Sequence, residues 1–186
     1  MTRLAIFDLD GTLLNTIGDL AVSCNAVLAL RGLPQHSYED YCRFVGNGIM
    51  RLVERALPEA LRTPYTVDAV RRDFVAYYLA HIDEHTLPYE GIPELLDELQ
   101  RRGVLGQRPD VPLKPDPAVV GEILTATGVA AGEVLYVGDS GVDMQTAAAA
   151  GVRSAGVTWG FRTRAELEQS GARHIVDRPA ELLGLL

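Results

Sequence analysis

The chain has 186 residues, of which 47% are hydrophobic, and its formal net charge is −8. This hydrophobic content excludes general disorder, and the length predicts one domain with an elaborated insertion. The acidic excess argues against a nucleic-acid-binding or anionic-membrane surface, because such surfaces need clustered lysine and arginine.

Cysteine usage and apolar runs exclude further classes. The two cysteines, Cys24 and Cys42, have no CxxC spacing, so neither a disulfide framework nor a zinc site is indicated. The N-terminal apolar run is broken by Asp8, too early for a secretory signal, and no apolar stretch is long enough to span a membrane. We therefore expect a soluble, cytoplasmic protein without a membrane partner.

The first predicted element is a strand over Leu4–Phe7, followed by Asp8-Leu9-Asp10-Gly11-Thr12. A short continuous apolar run is typical of a strand buried on both faces, and Gly11 lets the backbone turn sharply away from it. Because successive strand residues point in opposite directions, Asp8 and Asp10 share a side. Two carboxylates so close repel unless they share a cation or a proton, which predicts a magnesium site or a general acid/base pair.

An all-helical insertion is predicted next, over residues 15–87. Apolar residues recur there at three- and four-residue steps, and glycine or proline interrupts each run. The helices are expected near residues 20–33, 39–45, 49–57 and 67–81. Residues 1–14 and 88–186 are then expected to form the α/β core.

The remaining chain alternates between helices and strands, as in a parallel α/β sheet. Helices are expected from Pro93, over 117–128 and over 142–150, and strands over 133–137, 154–159 and 174–176. The strand that begins at Glu133 ends at Gly138-Asp139-Ser140, which places another acid at a strand exit, with Asp143 one helical turn beyond.

Acids delivered to one sheet edge by separate strands predict a hard cation. Magnesium takes few protein ligands, so Asp8, Asp139 and a backbone carbonyl such as that of Asp10 would leave room for phosphate oxygens. Asp143 is better assigned to the groups that surround the ligands, together with Ser140 and Thr12.

Lys114 is the single lysine in a chain with sixteen arginines, and it stands in Leu113-Lys114-Pro115-Asp116-Pro117. A compact ammonium can neutralise a carboxylate and a phosphate together, whereas a guanidinium is bulkier and differently hydrated. The alternative is an ordinary exposed lysine that precedes a helix.

Three segments resemble motifs one, three and four of the haloacid dehalogenase-like phosphatases, in that order: Asp8-Leu9-Asp10-Gly11-Thr12, Lys114-Pro115, and Gly138-Asp139-Ser140 with Asp143. The helical insertion is similar to that superfamily's helical cap. The resemblance implies a Rossmann-like parallel sheet core with an inserted all-helical cap domain. Three further segments resemble the phosphoglycolate phosphatase group: Phe44–Gly48, Pro88–Ile92 and Val157–Phe161.

The resemblance implies a magnesium-dependent phosphatase of a small phosphorylated metabolite, with 2-phosphoglycolate favoured. Asp8 would be the nucleophile that forms an aspartyl-phosphate, and Asp10 would protonate the leaving alkoxide and then activate water. Mg²⁺ and Lys114 would hold the charge of the transferring phosphoryl group.

Two other segments allow more than one interpretation. Gly46-Asn47-Gly48 with Arg43 could be a cap loop that closes over substrate or a plain turn between helices. Trp159 and Phe161 are expected to pack in the core and at its edge rather than to form a ligand platform.

One departure from the family pattern concerns motif two. The family places a strand ending in Ser or Thr before the motif-three lysine, but only Val104–Leu105 stands at the corresponding position. The gap corresponds to one strand-plus-helix unit, roughly 30 residues. Either the protein carries a real deletion or the recorded sequence omits a segment.

Single features of the sequence argue against two other activities of the superfamily. Asp10 argues against a dehalogenase, and a cap without lysine argues against a Schiff-base phosphonate hydrolase. A sugar phosphomutase remains an alternative, and so does a catalytically impaired protein that binds metal or phosphate without efficient turnover. The oligomeric state is expected to be a monomer or a homodimer.

Overall fold

The computed structural model describes residues 2–99 and 114–186, so the predicted strand remnant Val104–Leu105 lies outside the described residues. Contacts divide the chain into two compact units. One contains the chain up to Leu14 and from Pro88, and the other is Asn15–Leu87. Among the helices of the described ranges, none has the length and apolar character needed to cross a membrane.

The described strands and helices follow in chain order. The strands are β1 (Leu4–Phe7), β2 (Leu14–Asn15), β3 (Leu87–Pro88), β4 (Val134–Gly138), β5 (Arg153–Val157) and β6 (His174–Val176). The helices are α1 (Ile17–Leu30), α2 (Tyr38–Phe44), α3 (Gly48–Ala56), α4 (Pro64–Ala80), α5 (Ile92–Leu99), α6 (Ala118–Thr127), α7 (Gly141–Ala149) and α8 (Arg164–Gln169). Short 3₁₀ segments lie at Glu59–Leu61, Ala131–Glu133 and Pro179–Gly184.

A parallel sheet in the order β1-β4-β5-β6 forms the centre of the α/β unit. Side chains alternate across β4, so Leu135 and Val137 pack with α5, while Val134 and Tyr136 pack with α6 and α7. All five residues of β4 are buried, which places it at the centre of both apolar layers. The parallel sheet with helices on both faces confirms the predicted α/β fold class.

Two sequence predictions about this unit need correction, and one helix was missed. All four residues of β1 are only half-buried, because β1 pairs with β4 on one edge and with no other strand of the described ranges. β5 ends at Val157 rather than Trp159, because the chain turns there towards the end of β1. The helix α8 was not predicted, since Leu167 is its one buried residue.

The second unit is helical apart from the residues that connect it to β2 and β3. Within it, α1 packs against α2 and α4, and α3 packs against the same two helices. Its interior is made of apolar side chains from all four helices, among them Leu28, Tyr41, Val53 and Phe74.

A buried carboxylate organises one end of the helical unit. Asp19 of α1 is 1% exposed and accepts hydrogen bonds from the backbone N–H of Asp83 (3.1 Å) and of His85 (2.8 Å) and from the Thr86 hydroxyl (2.6 Å). Burial alone would raise the pKa of Asp19, but the hydrogen bonds from Thr86 and His85 lower it overall. The ionised carboxylate therefore ties residues 83–86 to the start of α1.

Candidate active site

The register of β1 and β4 brings two acids to one sheet edge. Phe7 is aligned with Val137, so Asp8 follows β1 and Asp139 follows β4 at neighbouring strand ends. The Asp8 backbone N–H also donates to the Val137 carbonyl at 2.9 Å, which continues the pairing by one residue. Carboxyl ends of parallel strands are where α/β sheets place their sites.

A third carboxylate comes from the first turn of α7. Ser140 is the N-cap of this helix, and Asp143 accepts from the Ser140 backbone N–H at 3.1 Å and from its hydroxyl at 2.6 Å, both at Oδ2. This capping box holds the Asp143 side chain against the helix start. Carboxylate oxygens of Asp8, Asp139 and Asp143 all lie within 4.8 Å of one another.

Lys114 reaches this carboxylate cluster from the chain before α6. Its Nζ donates to Oδ1 of Asp143 at 2.8 Å and also to Oδ1 of Asp8. The ammonium lies 5.5 Å from the centroid of the Tyr136 ring, within the range of a cation–π interaction. One ammonium is thus shared by two carboxylates of a three-carboxylate cluster.

The charges and burial of the cluster shift the pKa values of its members. Burial raises the pKa of Asp139 to about 7, against a lowering effect of the hydrogen bond from Phe161. Burial, followed by the charge of Asp143, raises the pKa of Asp8 to about 6, against the effect of Lys114. Burial lowers the pKa of Lys114, but the two bonded carboxylates outweigh it and raise that pKa overall. A divalent cation bound among the three carboxylates would reduce the electrostatic repulsion between them.

The donor set fits a hard cation. Carboxylate oxygens are the ligands that Mg²⁺ prefers in proteins, and no thiolate or imidazole of the described ranges belongs to the cluster. In the same ranges, Oδ2 of Asp8 and Oδ1 of Asp139 accept no hydrogen bond from the protein, whereas both oxygens of Asp143 are engaged. Asp8 and Asp139 are therefore the side chains that could hold Mg²⁺, with Asp143 holding Lys114.

Asp10 and Thr12 lie on the loop after β1. Asp10 is exposed and outside the three-carboxylate cluster, but its charge contributes to the raised pKa of Asp8. The backbone N–H of Gly11 donates to the Leu14 carbonyl at 2.8 Å, which closes the loop. Thr12 is fully buried, and its hydroxyl has no hydrogen-bond partner in the described part of the chain. The expected roles of both side chains stay predictions.

The three residues expected to contact substrate lie in the helical unit. Arg43 forms an ion pair with Asp40 on the same helix, and Oδ1 of Asn47 accepts from Arg55 at 2.8 Å. Gly46 has φ of 102° in the turn between α2 and α3, a conformation that favours glycine. These local contacts build the turn, and a role of Arg43, Gly46 and Asn47 in substrate binding stays a prediction.

The segment after β5 makes contacts that the sequence did not predict. The Phe161 backbone N–H donates to Oδ2 of Asp139 at 2.6 Å, and the Trp159 indole N–H donates to the Thr12 carbonyl at 2.9 Å. Trp159 also packs against the apolar layer below the sheet, as expected. No sequence pattern predicts the Phe161 contact, because its donor is a backbone N–H, which every residue except proline carries.

Comparisons with known proteins agree with this arrangement. The family model for haloacid dehalogenase-like hydrolases matches residues 5–106 and 108–157. The chain is 31% identical to the phosphoglycolate phosphatase of Pectobacterium atrosepticum over 211 residues, which covers 97% of this chain and 90% of that protein. It is 30% identical to the phosphoglycolate phosphatase of Haemophilus influenzae over 219 residues, which covers 99% and 98%.

A solved structure has a similar fold. The crystal structure of a predicted phosphoglycolate phosphatase from Haemophilus somnus 129PT matches with a TM-score of 0.86 at 28% identity, over 99% of this chain and 97% of that chain. Together with the family match over most of the chain, this places the carboxylate cluster in a known class of enzymes. The chain belongs to the haloacid dehalogenase-like hydrolase family.

Proposed function

We propose that the protein is a magnesium-dependent phosphatase of a small phosphate monoester, with 2-phosphoglycolate as the preferred candidate substrate. The observation that carries the proposal is the cluster of Asp8, Asp139 and Asp143 with Lys114 at the ends of two parallel strands. Family membership and relatives named phosphoglycolate phosphatase support the reaction class and the candidate substrate.

Asp8 is the proposed nucleophile. A carboxylate oxygen of Asp8 forms a bond to phosphorus while the bond from phosphorus to the alkoxide oxygen breaks, and Asp10 gives its proton to that alkoxide. A water molecule then attacks phosphorus in the resulting aspartyl-phosphate, and its proton goes to Asp10. This second step releases phosphate and restores the carboxylate of Asp8.

The surrounding charges prepare Asp8 for this role. Lys114 binds one oxygen of Asp8, and Asp143 fixes Lys114, so the second oxygen of Asp8 is left without a protein partner in the described ranges. Ser140 fixes Asp143 in turn. Mg²⁺, held by Asp8, Asp139 and the backbone carbonyl of Asp10, would supply positive charge to the phosphoryl oxygens.

Release of inorganic phosphate from 2-phosphoglycolate tests the proposal. The wild-type protein should release phosphate with Mg²⁺ and not with EDTA, and Asp8→Asn should abolish release, because a carboxamide cannot act as the nucleophile. Asp97→Asn, at an exposed position of α5, is the matched control and should keep full activity. Phosphate release that persists in Asp8→Asn would contradict the mechanism.

Substrate choice is tested separately. A panel of small phosphate monoesters identifies the preferred substrate through kcat/KM. Turnover that depends on a bisphosphate activator and releases no net phosphate would indicate a sugar phosphomutase instead.

A second candidate function is a catalytically impaired protein that binds metal or phosphate. The alignment with the Pectobacterium relative spans 211 residues, 25 more than the 186 of this chain, so at least 25 positions lack a counterpart here. The two segments of the family match meet at residue 107, close to the expected position of the motif-two strand. A missing strand-plus-helix unit would remove the hydroxyl with which the family binds phosphoryl groups.

Intact mass and activity together decide between the two candidates. A mass of 20.2 kDa means that the deletion is real, whereas an excess of about 3 kDa would correspond to one additional strand-plus-helix unit. Robust Mg²⁺-dependent turnover by a 20.2 kDa protein, lost in Asp8→Asn, would exclude the impaired candidate. Saturable Mg²⁺ binding without turnover would support it.

A further inference from the structure

Three consecutive residues beyond β5, namely Trp159, Gly160 and Phe161, contact the loop after β1, Asp139 or both. We call them the 159–161 turn. All three lie in the α/β unit, beyond the C-terminal end of β5. None of them carries a charge or a nucleophile, so their contribution to the site must come from how they hold other groups.

The first contact fixes the loop after β1. The Trp159 indole N–H donates to the Thr12 carbonyl at 2.9 Å. A tryptophan indole is a donor only, and a fixed ring places that donor at one point in space. The bond therefore ties the loop that carries Asp8 and Asp10 to the end of β5.

The second contact depends on the absence of a side chain at Gly160. A Cβ atom at this position would lie 2.3 Å from the Gly11 carbonyl oxygen and 2.3 Å from Cβ of Asp139. Gly160 has no positive φ, so the requirement for glycine comes from space and not from backbone conformation. The backbone at Gly160 thus lies directly between the β1 loop and the residue after β4.

The third contact orients the Asp139 carboxylate. The Phe161 backbone N–H donates to Oδ2 of Asp139 at 2.6 Å, while Oδ1 accepts no hydrogen bond in the described ranges. The Phe161 ring also lies against Gly11, where an added Cβ would meet Cδ2 at 2.8 Å. One oxygen of Asp139 is anchored to the protein and the other is left for a ligand.

We propose that the 159–161 turn is a positioning element that sets the separation of the β1 loop and Asp139, and thereby the affinity of the site for a divalent cation. The inference rests on the proposed function for the identity of that cation as Mg²⁺. Outer groups that orient metal ligands commonly change metal affinity by about 10- to 100-fold when they are removed.

Binding of Mn²⁺ alone, followed by its electron paramagnetic resonance signal, tests the inference without substrate. Mn²⁺ is a suitable probe because it takes the same oxygen ligands as Mg²⁺. Gly160→Ala should weaken Mn²⁺ binding by about 10- to 100-fold relative to wild type. Gly132→Ala is the matched control, because its Cβ would meet no atom within 4 Å and its φ is not positive, and it should bind like wild type.

Trp159→Phe provides a second, milder variant that keeps a ring and removes the indole N–H. It should weaken Mn²⁺ binding by about tenfold and raise the Mg²⁺ concentration for half-maximal turnover, while KM for substrate at saturating Mg²⁺ stays unchanged. A purely structural role would lower the melting temperature without this separation of metal and substrate effects. If Gly160→Ala fails to fold, Mn²⁺ binding by Trp159→Phe alone decides whether the inference is supported or overturned.

The outcomes separate this inference from the proposed function. If wild type binds Mn²⁺ and both variants bind it with the same affinity as wild type, the proposed role of the turn is overturned and the proposed function is left intact. Absence of Mn²⁺ binding in the wild type would overturn both. Weakened binding in the variants, with Gly132→Ala unaffected, would support the positioning role.

Discussion

Replacing Lys114 by methionine tests the charge balance of the carboxylate cluster. Methionine keeps an unbranched apolar stem and removes the ammonium that donates to Asp8 and Asp143. The three carboxylates would then face one another without that bonded cation. We expect the variant to be less stable than wild type and inactive.

The structure allows the loss of stability to be estimated. Two unit charges 4 Å apart interact by about 4 kcal/mol at an effective dielectric constant of 20. Removal of one partner from a buried ion pair costs about 3–5 kcal/mol. Because the Lys114 side chain is 26% exposed, solvent screens part of the interaction, and the lower end of that range, about 3 kcal/mol, is expected. This is a large share of the roughly 5–15 kcal/mol that stabilises a domain.

Urea unfolding without Mg²⁺ measures this loss. Trp159 is the single tryptophan and lies in the α/β unit, so its fluorescence reports the unfolding of the unit that contains Lys114. The control is Arg164→Met, which removes an ion pair with Asp177 whose side chains are 48% and 58% exposed; solvent screens this pair, so the variant should unfold at nearly the same urea concentration as wild type. Mg²⁺ should restore part of the stability of Lys114→Met. Equal unfolding midpoints for the two variants without Mg²⁺ would refute the reasoning.

Three further predictions follow from other contacts. Asp19→Asn should destabilise the helical unit by about 1–3 kcal/mol in urea unfolding followed by circular dichroism, because a carboxamide keeps only one acceptor oxygen for the hydrogen bonds that His85 and Thr86 donate to the two carboxylate oxygens. Because the pKa of Asp19 is lower in the folded protein than its unfolded value of about 3.9, ionised Asp19 stabilises the fold at pH values above about 4. The difference in free energy of unfolding between wild type and Asp19→Asn should therefore become smaller as the pH falls below about 4 towards the folded pKa. A difference that does not change with pH would contradict this. Thr63→Ala should cost about 1 kcal/mol in the same assay, because the Thr63 hydroxyl caps α4 by accepting from the Thr66 N–H, and an unchanged midpoint would argue against the cap. Titration with Mg²⁺ should change Trp159 fluorescence saturably in wild type and not in Asp139→Asn, and an identical response of the two would place the cation elsewhere.

The elements that the sequence predicted well are those whose residues bury a long or continuous apolar set. The α1 and α4 helices and the strands β1, β4 and β6 lie within a few residues of their predicted ranges. The α8 helix was missed because a single buried leucine gives no periodicity, although Thr163 and Glu166 at its start form a recognisable cap. Apolar runs also overstate strand length, since Trp159 turns away from the sheet.

In the candidate site, the contacts that could be predicted are those made by side chains at the ends of predicted strands, and the contacts made by backbone groups could not. The proximity of Asp8 and Asp139 follows from a general property of parallel sheets, because each acid ends a predicted strand. The contact of Lys114 with Asp8 depends on a path through the fold that the local sequence does not encode. The Phe161 N–H could not be anticipated, because every residue except proline carries the same backbone donor.

The pairing of β2 with β3 has a consequence for how such a protein can change. The chain leaves the α/β unit through β2 and returns through β3, and these strands are hydrogen-bonded to each other, so the two ends of the helical segment lie side by side. A segment with adjacent ends can be exchanged or resized without a change in the register of β1 and β4. The length and sequence of the helical unit can therefore change without moving the strand ends that carry Asp8 and Asp139.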